Sequence, residues 1–243
     1  MTTTQRPAGY APVPAGTNPP LTFSGYRSTG LRAPSQAPIV LPHRLTEVTG
    51  PLLPGPIGPN DHDLTTQHAN EPGGGEAQGQ RIVVFGRVLD SDGRAVPDTL
   101  VEVWQANAAG RYRHARDNWP APLDPNFSGG GRVLTDAQGN YSFTTIKPGA
   151  YPWGNHHNAW RPAHIHFSLF GQAFPQRLVT QMYFPDDPLF AQDPIYNSVP
   201  ESARHRMVST FDLDATRPEW ALAFRFDIVL RGREQSVFEE PHA

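Results

Sequence analysis

The sequence predicts an all-β fold, an antiparallel β-sandwich of the prealbumin-like kind with long loops and an extended N-terminal arm. Two observations carry that prediction. Short runs such as "RIVVFGRVLD" and "AHIHFSLF" are β-branched, aromatic or alternating, and they are bounded by turn residues. Glycine (22) and proline (27) are so frequent among the 243 residues that turns and short strands are favoured over long helices.

Taken in order, residues 1–78 are rich in Pro, Gly and polar side chains and end in "NEPGGGEAQGQ". Such a segment cannot build a large core alone. Its apolar patch "APIVLPHRL" predicts an arm that packs on the core or on a partner subunit. Residues 79–243 form the sandwich domain. "RIVVFGRVLD" and "TLVEVWQA" read as strands around the turn "SDGRAVPD". An irregular stretch from Asn107 to Arg132 follows. "VLTDAQGNYSFTTI" reads as a hairpin, and "AHIHFSLF", "RLVTQMYF" and "WALAFRFDIVLRG" as further strands. The best helix candidate is "VPESARHRMVST".

Composition removes several classes of function. A net charge of −3 without a Lys/Arg-dense run argues against nucleic acid as a partner. No apolar run reaches bilayer length, and "MTTTQRPAGYAPVPAG" lacks the basic start and apolar core of a secretory signal. With no cysteine there are no disulfides, thiolate nucleophiles or thiolate metal sites. These features together lead us to expect a cytoplasmic protein. The single lysine, Lys147, sits in a "KPG" turn, which argues against Schiff-base chemistry. No G-x-G-x-x-G opens a helix, so no dinucleotide cofactor is expected.

The informative stretch is "WRPAHIHFSLF". Residues two apart on a strand share a face, so His164 and His166 present two imidazoles side by side while Ile165 and Phe167 face the other way. Neutral imidazole suits iron, copper, zinc and nickel alike. Arg161, just upstream, would favour an anionic substrate at such a site. His156 and His157 precede it, but adjacent loop histidines diverge. Two tyrosines lie in Gly/Pro-rich loops, Tyr112 in "GRYRH" and Tyr151 in "KPGAYPWG". Residue type and spacing leave two readings open for them, rings packed over the sandwich edge or phenolate ligands of a strongly charged metal. Asp61, His62 and Asp63 in "NDHDL" also invite a metal reading, but consecutive residues alternate faces and a structural clamp is the expectation.

"GRYRH", "TDAQGNYSFTTIKPGAYPW" and "WRPAHIHF", in this order, resemble the intradiol ring-cleaving dioxygenases, and within them the β-chain branch that acts on protocatechuate. The resemblance runs from about "GYRSTG" to "FRFDIVLRG". It implies one non-haem Fe(III) per chain, held by Tyr112 and His166 as equatorial ligands and by Tyr151 and His164 as axial ones. Tyr151 would be the ligand that substrate displaces. It implies Arg161 as the active-site arginine, and Tyr26, Trp153, Gln181, Tyr183 and Ile195 as substrate-pocket residues. The implied reaction cleaves protocatechuate with O2 between its two hydroxylated carbons, in aromatic catabolism. The implied partner is a homologous α chain that lacks the iron ligands. A different catechol or hydroxyquinol as substrate is the alternative within the family. A non-catalytic prealbumin-like binding module is the alternative outside it, since "TDAQGNYSF" serves both as scaffold.

Overall fold

The structure, a computed structural model, describes residues 57–154, 157–171 and 174–237, together with Phe23 and Gly25. Most of the expected arm, including "APIVLPHRL", lies outside the described residues.

The described chain is mostly β-sheet with a few short helices. Its strands are β1 (Arg81–Leu89), β2 (Leu100–Trp104), β3 (Gly130–Leu134), β4 (Asn140–Ile146), β5 (Tyr151–Trp153), β6 (Ala159–Arg161), β7 (His164–Gly171), β8 (Phe174–Tyr183), β9 (Thr210–Arg217), β10 (Ala221–Arg225) and β11 (Ile228–Val229). One sheet is built on β1, with β4 on one side and β10, β11 and then β9 on the other. A second has the order β3-β2-β7-β8. β5 and β6 form a separate pair.

Alternation places the core. Ile165, Phe167 and Leu169 of β7 are fully buried, with Val101 and Val103 of β2 and Met182 of β8 beside them. Phe167 crosses to the first sheet, with ring centroids 6.0, 5.9 and 5.3 Å from Tyr141, Phe143 and Phe226. The two sheets therefore share one apolar interior. Leu64 is also buried in it, anchored by its backbone N–H donating to the Thr144 carbonyl at 2.9 Å.

Three expectations need correction. "VLTDAQGNYSFTTI" does turn: the Asp136 carboxylate accepts from the backbone of Gln138 and Asn140, and Gly139 has φ +74°. The two arms are not a hairpin, however. β3 pairs with β2 and β4 with β1, so the turn carries the chain from one sheet to the other. The expected antiparallel pairing holds through both sheets except that β1 runs parallel to β10 and β11. No short turn joins these distant strands, and long crossovers allow either direction. "WALAFRFDIVLRG" is broken at Phe226-Asp227, where the Asp227 side chain accepts from the Arg87 backbone N–H at 3.0 Å. The helix candidate is a single turn, α2 (Glu201–Arg204), continued as a 3-10 turn over His205–Met207. α1 (Pro194–Ser198) precedes it, after another 3-10 turn over Pro188–Gln192.

Candidate metal centre

The face of β7 opposite the core carries the site. His166 lies across from Trp104 of β2 and Gln181 of β8, and His164 across from Tyr183 of β8. The His166 ring stacks on Trp104 at 4.8 Å and 3°. His164 is buried because loops cover this face.

Those loops interlock through two glycines. The Asn107 side chain accepts from the backbone of Ala109 and Arg111, which folds "NAAGRY" into a tight turn around Gly110 at φ +76°. Gly149 N–H donates to the Asn107 carbonyl at 2.9 Å. A Cβ on Gly110 would sit 2.3 Å from the Ala150 oxygen, and one on Gly149 2.4 Å from the Ala108 oxygen. Only bare backbone allows this approach. It sets Tyr112 and Tyr151 edge to face at 5.4 Å. The Tyr112 N–H is fixed by Asp117 at 2.8 Å, and Tyr151 pairs across β5-β6 with Arg161.

Four lone-pair donors converge. Tyr112 Oη is 3.2 Å from His166 Nε2 and 3.5 Å from His164 Nε2, and Tyr151 Oη is 3.3 Å from His164 Nε2. His164 Nδ1 lies 2.7 Å from the Pro162 carbonyl. A carbonyl can only accept, so Nδ1 holds the proton and Nε2 offers its lone pair to the centre. Burial first, then Arg161, hold the His164 imidazole well below its ordinary range, and burial with His164 and Arg161 does the same for His166. Burial and the neighbouring Tyr151 push the Tyr112 phenol well up. Two neutral imidazoles and two phenols within this reach suit a single hard cation, which would supply the charge a buried phenolate needs. Among the described residues no group of three His, Cys, Asp or Glu offers a rival site.

Arg161 closes one side. Its Nη1 is 3.0 Å from His164 Nε2, Nη2 donates to Gln181 Oε1 at 2.5 Å and to Tyr183 Oη at 2.8 Å, and the guanidinium lies 5.6 Å from the Trp153 ring. Burial works against its charge, but the oxygens of Tyr183, Asp193 and Tyr151 outweigh burial and hold it well above the ordinary arginine value. A cavity of about 1090 Å³ opens over this group, lined by Tyr112, Tyr151, Trp153, Arg161, Gln181 and Ile195 among others.

The "Dioxygenase" family model matches residues 48–232, and "Protocatechuate 3,4-dioxygenase beta subunit N terminal" matches 10–44. The chain belongs to the intradiol dioxygenase family. Intradiol dioxygenases use non-haem iron, and the donors converging here are of a kind that iron accepts. The chain is 57% identical to the protocatechuate 3,4-dioxygenase beta chain of Burkholderia cepacia, over 91% of this chain and 94% of that one. It is 32% identical to the protocatechuate 3,4-dioxygenase alpha chain of the same organism, over 67% of this chain and 78% of that one. In fold it is similar to 3-chlorocatechol 1,2-dioxygenase from Rhodococcus opacus 1CP, with TM-score 0.55 at 22% identity over 74% of this chain and 69% of that one.

Of the ten residues that the family resemblance implies, nine lie around one centre in this intradiol dioxygenase. Tyr26 lies outside the described residues, as does His156, and His157 is exposed. The "NDHDL" aspartates are a clamp: Asp61 Oδ2 pairs with Arg132 Nη2 at 2.8 Å, and Asp63 Oδ1 accepts from Thr65 at 2.9 and 2.6 Å. Sequence reasoning missed Trp104 and Asp193. Trp104 was discoverable as the last outward-facing residue of β2. Asp193, in "QDPIY", reads locally as nothing more than a cap before proline.

Proposed function

We propose that this chain is the iron-bearing β subunit of a protocatechuate 3,4-dioxygenase. It would cleave 3,4-dihydroxybenzoate between the hydroxylated carbons, both atoms of O2 entering the product, 3-carboxy-cis,cis-muconate. The convergence of Tyr112, Tyr151, His164 and His166 beneath Arg161 carries the reading, and the 57% identity to a β chain of that name supports the substrate. One Fe(III) held by those four side chains would supply Lewis acidity toward the catechol and a redox route between ring and O2.

The protein's own groups do the rest. Held as a phenolate by the iron, Tyr151 would be the group whose Oη takes up a phenolic proton from the incoming catechol, becoming a neutral phenol that gives way to the substrate. Tyr112, His164 and His166 stay in place, two of them anchored by the Pro162 carbonyl and by stacking on Trp104. Arg161 offers Nη1 to negative charge developing on the ring, an interaction strengthened where water is excluded. Gln181 and Tyr183 hold that guanidinium, while Trp153 and Ile195 form walls that orient the ring. Tyr26, on the arm, would meet the substrate carboxylate together with a homologous α chain; relatives of that name support the partnership. The domain division we propose is an arm over 1–78, packed on the core or the partner, and a prealbumin-like catalytic sandwich over 79–243. Full burial of Leu64 supports the packing. The proposed compartment is the cytoplasm.

The test is oxygen uptake by iron-loaded protein co-produced with its partner chain, using protocatechuate and catechol and identifying the products. Protocatechuate should be consumed with one O2 per ring and cleaved between the hydroxyls. Cleavage beside them, or no uptake, overturns the reading. The same material should show broad visible absorption that a chelator abolishes, and colourless iron-replete protein would remove both tyrosines from the ligand set.

A further inference from the structure

Asp193 belongs to neither the donor set nor the cavity wall, yet its carboxylate touches residues of both. It is completely buried. Oδ1 accepts from Arg161 Nε at 3.3 Å and from the Ile195 backbone N–H at 2.9 Å. Oδ2 accepts from Arg161 Nη2 at 3.1 Å and from the Tyr183 hydroxyl at 2.8 Å. The pair with Arg161 is therefore two-pronged, which fixes the plane of the guanidinium as well as its position. A buried ion pair gains little stability over apolar residues of the same shape, so stability alone does not account for this one.

Geometry shows what the pair does instead. Nε and Nη2 of Arg161 are engaged by Asp193, Gln181 and Tyr183. Nη1 is the nitrogen left to face His164 and the centre. Were the fork free to rotate, a different edge would meet the substrate. Asp193 is itself held at a joint. It ends the 3-10 turn and caps α1, its N–H donating to the Phe190 carbonyl and its carbonyl accepting from the Asn197 backbone at 3.0 Å and side chain at 2.9 Å. Two residues on, Ile195 lines the cavity.

We infer that Asp193 is a positioning residue, whose one carboxylate sets the orientation of the Arg161 guanidinium and, by capping α1, the Ile195 wall. The inference rests on the reading of Arg161 as the charge-stabilising group in ring cleavage. Its structural consequence can be measured without turnover.

Asp193→Asn keeps the shape and the cap but turns one acceptor into an N–H2 facing a cation. In the iron-loaded complex, kcat for protocatechuate should fall by about 10- to 100-fold, less than the roughly 100- to 1000-fold of deleting a pre-organised donor outright, because the guanidinium is misaligned and not removed. KM and iron content should change little, while Tm falls because the buried Arg161 charge loses its partner. In an Arg161→Ala background the same substitution should lower kcat by less than about twofold, because the group it positions is gone. A residue serving only the fold would lower Tm as well, but would add its full effect on kcat in that background. A crystal structure of Asp193→Asn should show the guanidinium turned away from Gln181 and Tyr183. If that variant does not fold, Asp193→Glu, with its carboxylate one methylene further out, is read by the same structure and assay. An unchanged kcat, a full further loss in the Arg161→Ala background, or a guanidinium still on Gln181 and Tyr183 overturns the inference. An inactive wild type refutes ring cleavage instead, and the crystallographic comparison then still decides the orientation.

Discussion

His164 and His166 stay neutral under the loops while the same imidazoles in an unfolded chain titrate near about 6.5. As pH falls through that value, the unfolded chain takes up protons that the folded one refuses, so stability is lost with acidification. We predict that metal-free protein loses stability between pH 7.5 and 5.5, by at most about 1.4 kcal/mol per pH unit for each histidine. Urea midpoints measure this, and His166→Gln should flatten the slope. A slope unaffected by that substitution would mean that His166 is protonated in the fold. At this scale much of the site was legible: an H-x-H on a strand has two candidate ligands on one face whatever surrounds it. The tyrosines were not legible from spacing, since nothing local says that the loops of Tyr112 and Tyr151 meet. Asp193 was hidden for another reason. Its capping role accounts for it locally, and its pairing with Arg161 spans 32 positions.

The elements that bring those tyrosines together meet backbone to backbone at Gly110 and Gly149. Gly110→Ala therefore forces both a left-handed backbone and a clash with the Ala150 oxygen. The expected cost is about 1–3 kcal/mol. Iron content should fall further than that cost alone implies, because the Tyr112 loop must move. Denaturant midpoint and metal analysis check both, and full iron loading at unchanged stability would show that the interlock is dispensable. Strands with one buried face were readable from their alternation, as β1 and β7 show. β9 was not: Phe211, Leu213 and Ala215 alternate, but on an exposed edge, so the pattern carries no burial signal. The β3-β4 turn was recognisable as a turn, while the choice of sheet on either side belongs to packing partners elsewhere.

Across the whole molecule, stability and chemistry divide between the two faces of one sheet. Phe167 touches three rings of the opposite sheet, and Phe167→Ala should cost about 3–5 kcal/mol. His166→Ala in metal-free protein should cost several-fold less, although it removes a proposed ligand. Parallel denaturation curves test the contrast, and equal losses would make the outer face part of the folding core. The pairing of β1 with β10 is what sequence could least supply, because residues 82–85 meet residues 222–225 and no local pattern names so remote a neighbour.

This back-to-back arrangement on β7 bears on how such a protein can change. Deleting or inserting one residue before His164 would exchange the two sets of side chains, sending imidazoles inward and isoleucine and phenylalanine outward, so both folding and chemistry would fail together. Diversity in the ring accepted should therefore arise in the segments laid over the sheet, where length can vary without disturbing that parity. Grafting those segments between relatives is the practical route to new substrates.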